Sequence, residues 1–133
     1  MDVSSKVLIV GGIVSLFYGF LLGFPLTSAR MGAPTASRHL VTAHLSAIIQ
    51  GATLLALSSV MTFSDLPKDI ETGAAVLLVA GAVLFVAGAL TNWRQDIDDH
   101  FAVRSVGWRL FAASGPANVA GAATLLVGVL RGL

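Results

Sequence analysis

The chain has 133 residues, of which 56% are hydrophobic and 11% charged, with a formal net charge of +1 and no cysteine. This composition is typical of an integral membrane protein. The absence of cysteine excludes disulfides, thiolate metal sites and cysteine nucleophiles. The dispersed Lys and Arg residues lack the clustered basic face that nucleic-acid binding requires. The expected partner is therefore the lipid bilayer, and nucleic acid is not expected to bind.

Four apolar segments predict a single domain, residues 1–133, that folds as an all-α, oligomeric four-helix membrane bundle. The first segment has about 18 residues, which is near the lower limit for spanning the hydrocarbon, and Pro25 is expected to end it. A signal peptide that starts at Lys6 is the alternative, although the run is long for one. The predicted spans are approximately residues 7–24, 40–61, 73–90 and 110–130.

Small residues recur on one face of the predicted first helix, at Gly12, Ser15, Gly19 and Gly23. In lipid, small side chains allow the backbone of another helix to approach closely. This face is therefore predicted to be a packing surface rather than a chemical site.

The second segment carries polar side chains on two sides of one helix. His44 is predicted to share a face with Gly51, opposite a polar stripe. If the stripe contacts helices of the same subunit, His44 must face outward, toward a neighbouring subunit or a cofactor, because an unpartnered imidazole in lipid is costly. The alternative is a hydrogen bond from His44 to a Ser or a backbone carbonyl across helices. The stripe consists of His39, Thr42, Ser46, Gln50 and Thr53.

The third segment repeats pairs of small residues every seven positions, which predicts a packing seam either within the bundle or between subunits. The pairs are Gly73-Ala74, Ala80-Gly81 and Ala87-Gly88. The preceding loop, residues 62–72, is expected to be exposed and to hold Glu71, so that no span contains a carboxylate. A proton-coupled exporter needs such a carboxylate, so this class is disfavoured.

The loop at 91–109 and the fourth segment complete the chain. The acidic run from Asp96 to His100 lacks regular ligand spacing, so solvated charge beside the membrane is favoured over a hard-metal site. Asn118 should face the bundle and be paired, because an amide inside a span is costly without a partner. It shares its predicted face with Ser114, Gly121 and Gly128.

The order Arg30-Met31-Gly32, Ala43-His44-Leu45 and Gln50-Gly51 resembles a family of small membrane isomerases that includes hydroxylaminobenzene mutase and styrene oxide isomerase. The family pattern is a histidine followed after five residues by Asn-Gly and preceded by a basic residue. Asn92-Trp93 also resembles the mutase. This chain departs from the pattern in having Gln50 in place of the asparagine, and it lacks the tyrosine expected just after the third span.

The resemblance implies an oligomer, expected to be a trimer, that holds b-type haem between subunits. His44 would then be the axial metal ligand, and the iron would act as a Lewis acid. Gln50 would contact the substrate, and Asn118 and Asn92 are further catalytic candidates. Arginines at the membrane edge could neutralise the haem propionates. The candidates for that role are Arg30, Arg38 and Arg94.

The expected function is therefore intramolecular isomerisation of a small apolar, aromatic N-hydroxy or epoxide compound in a membrane, expected to be a bacterial inner membrane. A non-catalytic haem-binding or structural membrane subunit is the alternative, and a small transporter is a weaker one. An electron carrier usually needs two axial ligands per haem, whereas His44 is the only deep histidine predicted.

Overall fold

The computed structural model describes residues 1–98 and 102–133. These residues form four α-helices: α1 (Val3–Gly32), α2 (Arg38–Val60), α3 (Lys68–Arg94) and α4 (Val106–Gly132). A 3₁₀ turn, Met61–Phe63, follows α2. All four helices are long and apolar enough to cross a bilayer. The prediction of an all-α fold with four membrane spans is confirmed, and the chain is an integral membrane protein.

Each helix begins before its predicted span, and α1, α3 and α4 also end after theirs, most clearly α1 at Pro25. The expectation that Pro25 ends the first helix is wrong, because α1 continues through it to Gly32. Proline removes one backbone N–H, but membrane helices tolerate this loss where neighbouring groups satisfy the freed carbonyl. As a result, Arg30 lies in the last turn of α1 instead of in a loop.

Short connections place consecutive helices antiparallel. One end of the molecule, here called the arginine-rich end, contains the ends of α1 and α3 and the beginnings of α2 and α4. It carries Arg30, Arg38, Arg94, Arg104 and Arg109. The opposite end, here called the terminal end, contains both chain termini. There Lys68 Nζ lies 2.9 Å from Asp2 Oδ2 and links the beginnings of α1 and α3.

The closest packing of α1 on α2 occurs where two glycines face each other. A Cβ at Gly12 would lie 2.9 Å from the carbonyl oxygen of Gly51, and a Cβ at Gly51 would lie 2.9 Å from that of Gly12. Gly19 is similarly close to Ala47 and Ile48. The predicted packing face of the first helix is confirmed, and its partner is α2.

The third helix packs against α4 through small residues on both sides. A side chain at Gly88 would meet the carbonyl oxygen of Gly107, and one at Gly121 would meet that of Ala74. Two positions of the third-helix seam, Gly81 and Gly88, therefore serve a contact within the chain. Among the described residues, α4 packs on α3 and makes no extensive contact with α1 or α2.

One sequence-based expectation about burial is wrong. Glu71 is fully buried in the first turn of α3, where its Oε2 accepts a hydrogen bond from Lys68 Nζ at 3.0 Å, so it is not an exposed loop residue. The polar stripe of α2, whose contact with helices of the same chain was left open, is buried at His39 and exposed at Thr53. The other buried residues of α2 lie between the stripe and His44, and they are Leu40, Ala43, Ala47, Gly51 and Leu54.

Candidate functional site

His44 lies where α2 crosses α1, and its ring contacts the backbone of α1. Its Nδ1 lies 2.8 Å from the carbonyl oxygen of Gly19. The next turn of α1 has Gly23, where a Cβ would be 3.5 Å from the imidazole Cε1. A side chain as small as alanine at position 23 would therefore make ordinary van der Waals contact with the ring. The hydrogen bond to a backbone carbonyl across helices, which the sequence offered as the alternative to an outward-facing ligand, is present.

This hydrogen bond defines the chemistry of the imidazole. A carbonyl oxygen only accepts hydrogen bonds, so Nδ1 must carry the proton and donate it to Gly19. In the neutral ring, Nε2 then holds the free lone pair. Histidine ligands of metals are commonly oriented in this way, by a hydrogen bond from the other ring nitrogen. His44 therefore fits the requirements for an axial ligand of haem iron.

An open groove of about 770 Å³ borders His44 on the outer side of the α1–α2 pair. Arg30 is the one arginine or lysine among its described lining residues, and the others combine apolar side chains with the hydroxyl groups of Thr27 and Ser28. The arrangement suits an apolar, planar group with an anionic edge turned toward the arginine-rich end. The lining residues are Phe20, Gly23, Phe24, Leu26, Thr27, Ser28, Arg30, Met31 and His44.

The structure does not bring the other two predicted arginines into this groove. Arg38 begins α2 and Arg94 ends α3, both exposed at the arginine-rich end. Within the described part of the chain, neither forms an ion pair. Both therefore remain available to an anionic group at that end of the membrane.

Gln50 and Asn118 lie deeper than His44, on helices that make no extensive contact with each other in the described part of the chain. Each lies about 18 Å along its helix from the arginine-rich end. A side chain at Gly81 would collide with the Asn118 amide, so Asn118 faces α3 as predicted. The expected pairing is absent, because Asn118 makes no side-chain hydrogen bond to any described residue. Within one chain, neither amide lines the groove beside His44.

A family model described as styrene oxide isomerase matches residues 4–97, which is more than half of the chain. The chain belongs to the styrene oxide isomerase family. No curated protein matches the chain, and no solved structure does. Together with the four apolar helices, family membership identifies a membrane isomerase.

The segment that matches the styrene oxide isomerase family extends from α1 through the end of α3. It includes His44, the groove beside it and Gln50. Asn118 lies outside it, on α4. The family match therefore bears on the α1–α2 groove and not on the amide in α4.

A second polar cluster joins α2, α3 and α4 at the arginine-rich end of the protein. Asn92 is fully buried, and its Oδ1 accepts a hydrogen bond of 2.7 Å from Ser105 Oγ. Ser105 Oγ in turn accepts from the backbone N–H of Trp108 and caps α4. His39 donates from Nε2 to the carbonyl oxygen of Ile97.

These contacts favour a structural role for Asn92, although its Nδ2 is buried without a partner among residues 1–98 and 102–133. The sequence offered one signal of this cluster, since a serine just before an apolar helix is a typical N-cap. The partner of that serine, Asn92, could not be read from spacing, because the two residues are separated by a loop.

The acidic run after α3 is described only in part. Asp96 and Asp98 are exposed, as solvated charge should be. Asp99 and His100 lie outside the described residues. Within the described residues, no group of three or more His, Cys, Asp or Glu side chains could hold a metal ion.

Proposed function

We propose that the protein isomerises a small apolar aromatic compound carrying an epoxide or an N-hydroxy group, with b-type haem bound at His44. The observation that carries this proposal is the orientation of His44. Its Nδ1–H is bound to Gly19 and its Nε2 is left for a metal, beside a groove that includes Arg30. Membership of the styrene oxide isomerase family supports both the reaction type and the epoxide as substrate. A bacterial inner membrane is the proposed location.

Three kinds of residue would hold the haem. His44 would supply a nitrogen ligand to the iron, and the Gly19 carbonyl would keep the ring in the tautomer that leaves Nε2 unprotonated. Arg30, in the same groove, would bind a propionate, and Arg38 or Arg94 would neutralise the other from the arginine-rich end. When bound, haem would supply a Lewis-acidic iron for the oxygen of the substrate.

The chain itself would orient the substrate and exclude water. For an epoxide, one C–O bond breaks, a hydride moves from the carbon that keeps oxygen to the carbon that lost it, and a carbonyl forms. No atom is gained or lost, so no redox partner is required. A Gln50 side-chain N–H would donate to the substrate oxygen as charge develops on it, and Asn118 is the other amide proposed for this role. Asn92, the third amide that the sequence offered, is fully buried and accepts a hydrogen bond from Ser105, so it is given a structural role instead. The surrounding apolar helices would keep water from opening the epoxide.

Gln50 and His44 of one chain are poorly placed to serve the same site. They are six residues apart on α2, which separates them by about 9 Å along the axis and about 120° around it. We therefore propose that the site lies between protomers of a homotrimer, with His44 from one chain and Gln50 from its neighbour. The family resemblance is what supports a trimer.

Mixing variants tests this arrangement. His44→Ala subunits and Gln50→Leu subunits would be co-assembled and their turnover measured. If the two residues act from different chains, some mixed interfaces recover both wild-type groups and activity returns. A site within one chain predicts no recovery.

A non-catalytic membrane subunit is the second candidate. The specific observation in its favour is that the His44–Gly19 hydrogen bond already satisfies one ring nitrogen without a cofactor. To decide, the purified protein would be incubated with styrene oxide and, separately, with phenylhydroxylamine. The expected result is a product of unchanged mass with wild type and with His39→Gln, and none with His44→Ala. Equal, background-level conversion by all three proteins would favour the non-catalytic subunit.

A further inference from the structure

A separate apolar cavity of about 310 Å³ lies among α1, α2 and α3. On α1, its lining residues fall on the face opposite the groove that contains His44. Its volume is at the lower end of the range for small-molecule sites. The lining residues are Gly11, Val14, Ser15, Tyr18, Ala47, Leu54, Val79, Ala82, Val83, Val86, Ala87 and Leu90.

Two of these lining residues, Ser15 and Tyr18, have polar side chains, and only Ser15 forms a hydrogen bond to a described residue. Ser15 Oγ donates a hydrogen bond of 2.8 Å to the carbonyl oxygen of Ala47. Tyr18 forms no hydrogen bond to any described residue and is 41% exposed. The cavity therefore combines apolar walls with one uncommitted hydroxyl donor.

The position of Tyr18 makes an unused hydroxyl costly. It lies halfway along α1, so it falls near the middle of the hydrocarbon when the helix spans the membrane. No bulk water is available at that depth to accept the hydrogen bond. Tyrosine hydroxyls in apolar surroundings usually have a partner. An acceptor from outside the described chain would satisfy this one.

We propose that this cavity binds an apolar aromatic molecule with one acceptor oxygen, and that Tyr18 donates a hydrogen bond to that oxygen. The inference rests on the proposed function, because this is the same chemical class as the proposed substrate. A lipid tail could fill the apolar volume but has no acceptor for the phenol. The cavity is a holding site for substrate taken from the bilayer, on the other side of α1 from His44.

Binding would be measured by ligand-observed NMR with haem-free His44→Ala protein in nanodiscs, and empty nanodiscs would correct for partition into lipid. Styrene oxide is the probe, and styrene, which lacks the oxygen, is the matched ligand. Tyr18→Phe should weaken styrene oxide binding about fivefold to tenfold, the effect of one hydrogen bond in a membrane, and leave styrene binding unchanged.

A second variant tests the cavity itself. Ala87→Leu adds volume at a half-buried lining position and should weaken binding of both ligands by about tenfold or more. Ala123→Leu is the control, because it adds the same volume at an exposed position of α4. The mass of each assembly would be measured in parallel.

The inference is overturned if Ala87→Leu binds both ligands like Ala123→Leu, or if Tyr18→Phe affects styrene and styrene oxide equally. It is also overturned if Ala87→Leu changes the assembly mass without changing binding, because a neighbouring protomer then fills the cavity. Since the assay uses haem-free protein, binding can be present when the haem proposal fails. It can also be absent while haem binding by the wild-type protein succeeds.

Discussion

Gly51→Ala tests the α1–α2 crossing that orients His44. The added methyl group would lie 2.8 Å from the backbone nitrogen of Leu16 and 2.9 Å from the carbonyl oxygen of Gly12. Both are backbone atoms, so the helices must separate by several tenths of an ångström. Such overpacking costs about 1–3 kcal/mol. Alanine's higher helix propensity offsets up to about 1 kcal/mol of this.

Gly73→Ala is the matched control, because a Cβ at that position has no neighbour within 4 Å. It carries the propensity gain without the collision. The difference in the free energy of unfolding between the two variants should therefore be about 1–3 kcal/mol, with Gly51→Ala the less stable. The assay is reversible unfolding in mixed detergent micelles followed by circular dichroism.

Equal stability of these two variants would refute the close crossing. Unchanged protomer stability with a loss of assembly mass would instead place Gly51 between subunits. Separation of the helices should also lengthen the hydrogen bond of 2.8 Å from His44 Nδ1 to the carbonyl oxygen of Gly19. Because this hydrogen bond orients the proposed haem ligand, the Gly51→Ala protein should bind haem less tightly than the Gly73→Ala protein does.

Gln50→Leu should leave haem content nearly unchanged while lowering turnover by about 10- to 100-fold, since one donor to developing charge is lost; parallel loss of haem and turnover would contradict its proposed role. Asn118→Leu should insert normally yet lower activity or thermal stability, because the branched chain must repack against Gly81; a variant unchanged in both would show that the contact is unimportant. The hydrogen bond from Lys68 and its charge lower the pKa of Asp2 from its ordinary value. The ion pair between Asp2 and Lys68 is therefore present near neutral pH and is lost only as the pH falls through that lowered pKa. An NMR titration should therefore find the Asp2 carboxyl titrating below its ordinary range in wild type and closer to it in Lys68→Met; identical titration in the two proteins would refute the link.

The sequence predicted the fold because hydrophobic length is a strong signal in a membrane protein. It also predicted the packing face of α1, since Gly12 and Gly19 mark where another backbone can approach. His44 was identified as the deep imidazole of α2. Its contact with the Gly19 carbonyl was one of the alternatives left open.

The rotational setting of α2 was harder to predict, because lipid and bundle interior are both apolar and hydrophobicity does not distinguish them. A stripe of polar side chains also does not identify the buried face of a membrane helix. Thr53 Oγ1 donates a hydrogen bond of 2.9 Å to the carbonyl oxygen of Ile49 on its own helix. The Thr53 side chain can therefore face lipid without a partner on another helix. Small residues, rather than polar ones, determine which face of α2 is buried.

The burial of Glu71 was missed for a different reason. A charged residue near Pro67 is typical of an exposed loop, but α3 begins at Lys68, and that lysine neutralises the carboxylate three residues later. Only the structure shows that the first turn of α3 turns the Glu71 side chain inward at the terminal end while Asp69 and Ile70 stay exposed.

The most direct test of the central claim is the visible absorption spectrum of the purified protein. A Soret band is expected with wild type and with His39→Gln, in which the amide can still donate to the Ile97 carbonyl, and the band should be lost in correctly folded His44→Ala. A wild-type protein that stays colourless after reconstitution with excess haem, or a His44→Ala protein that keeps the band unchanged, would contradict that claim.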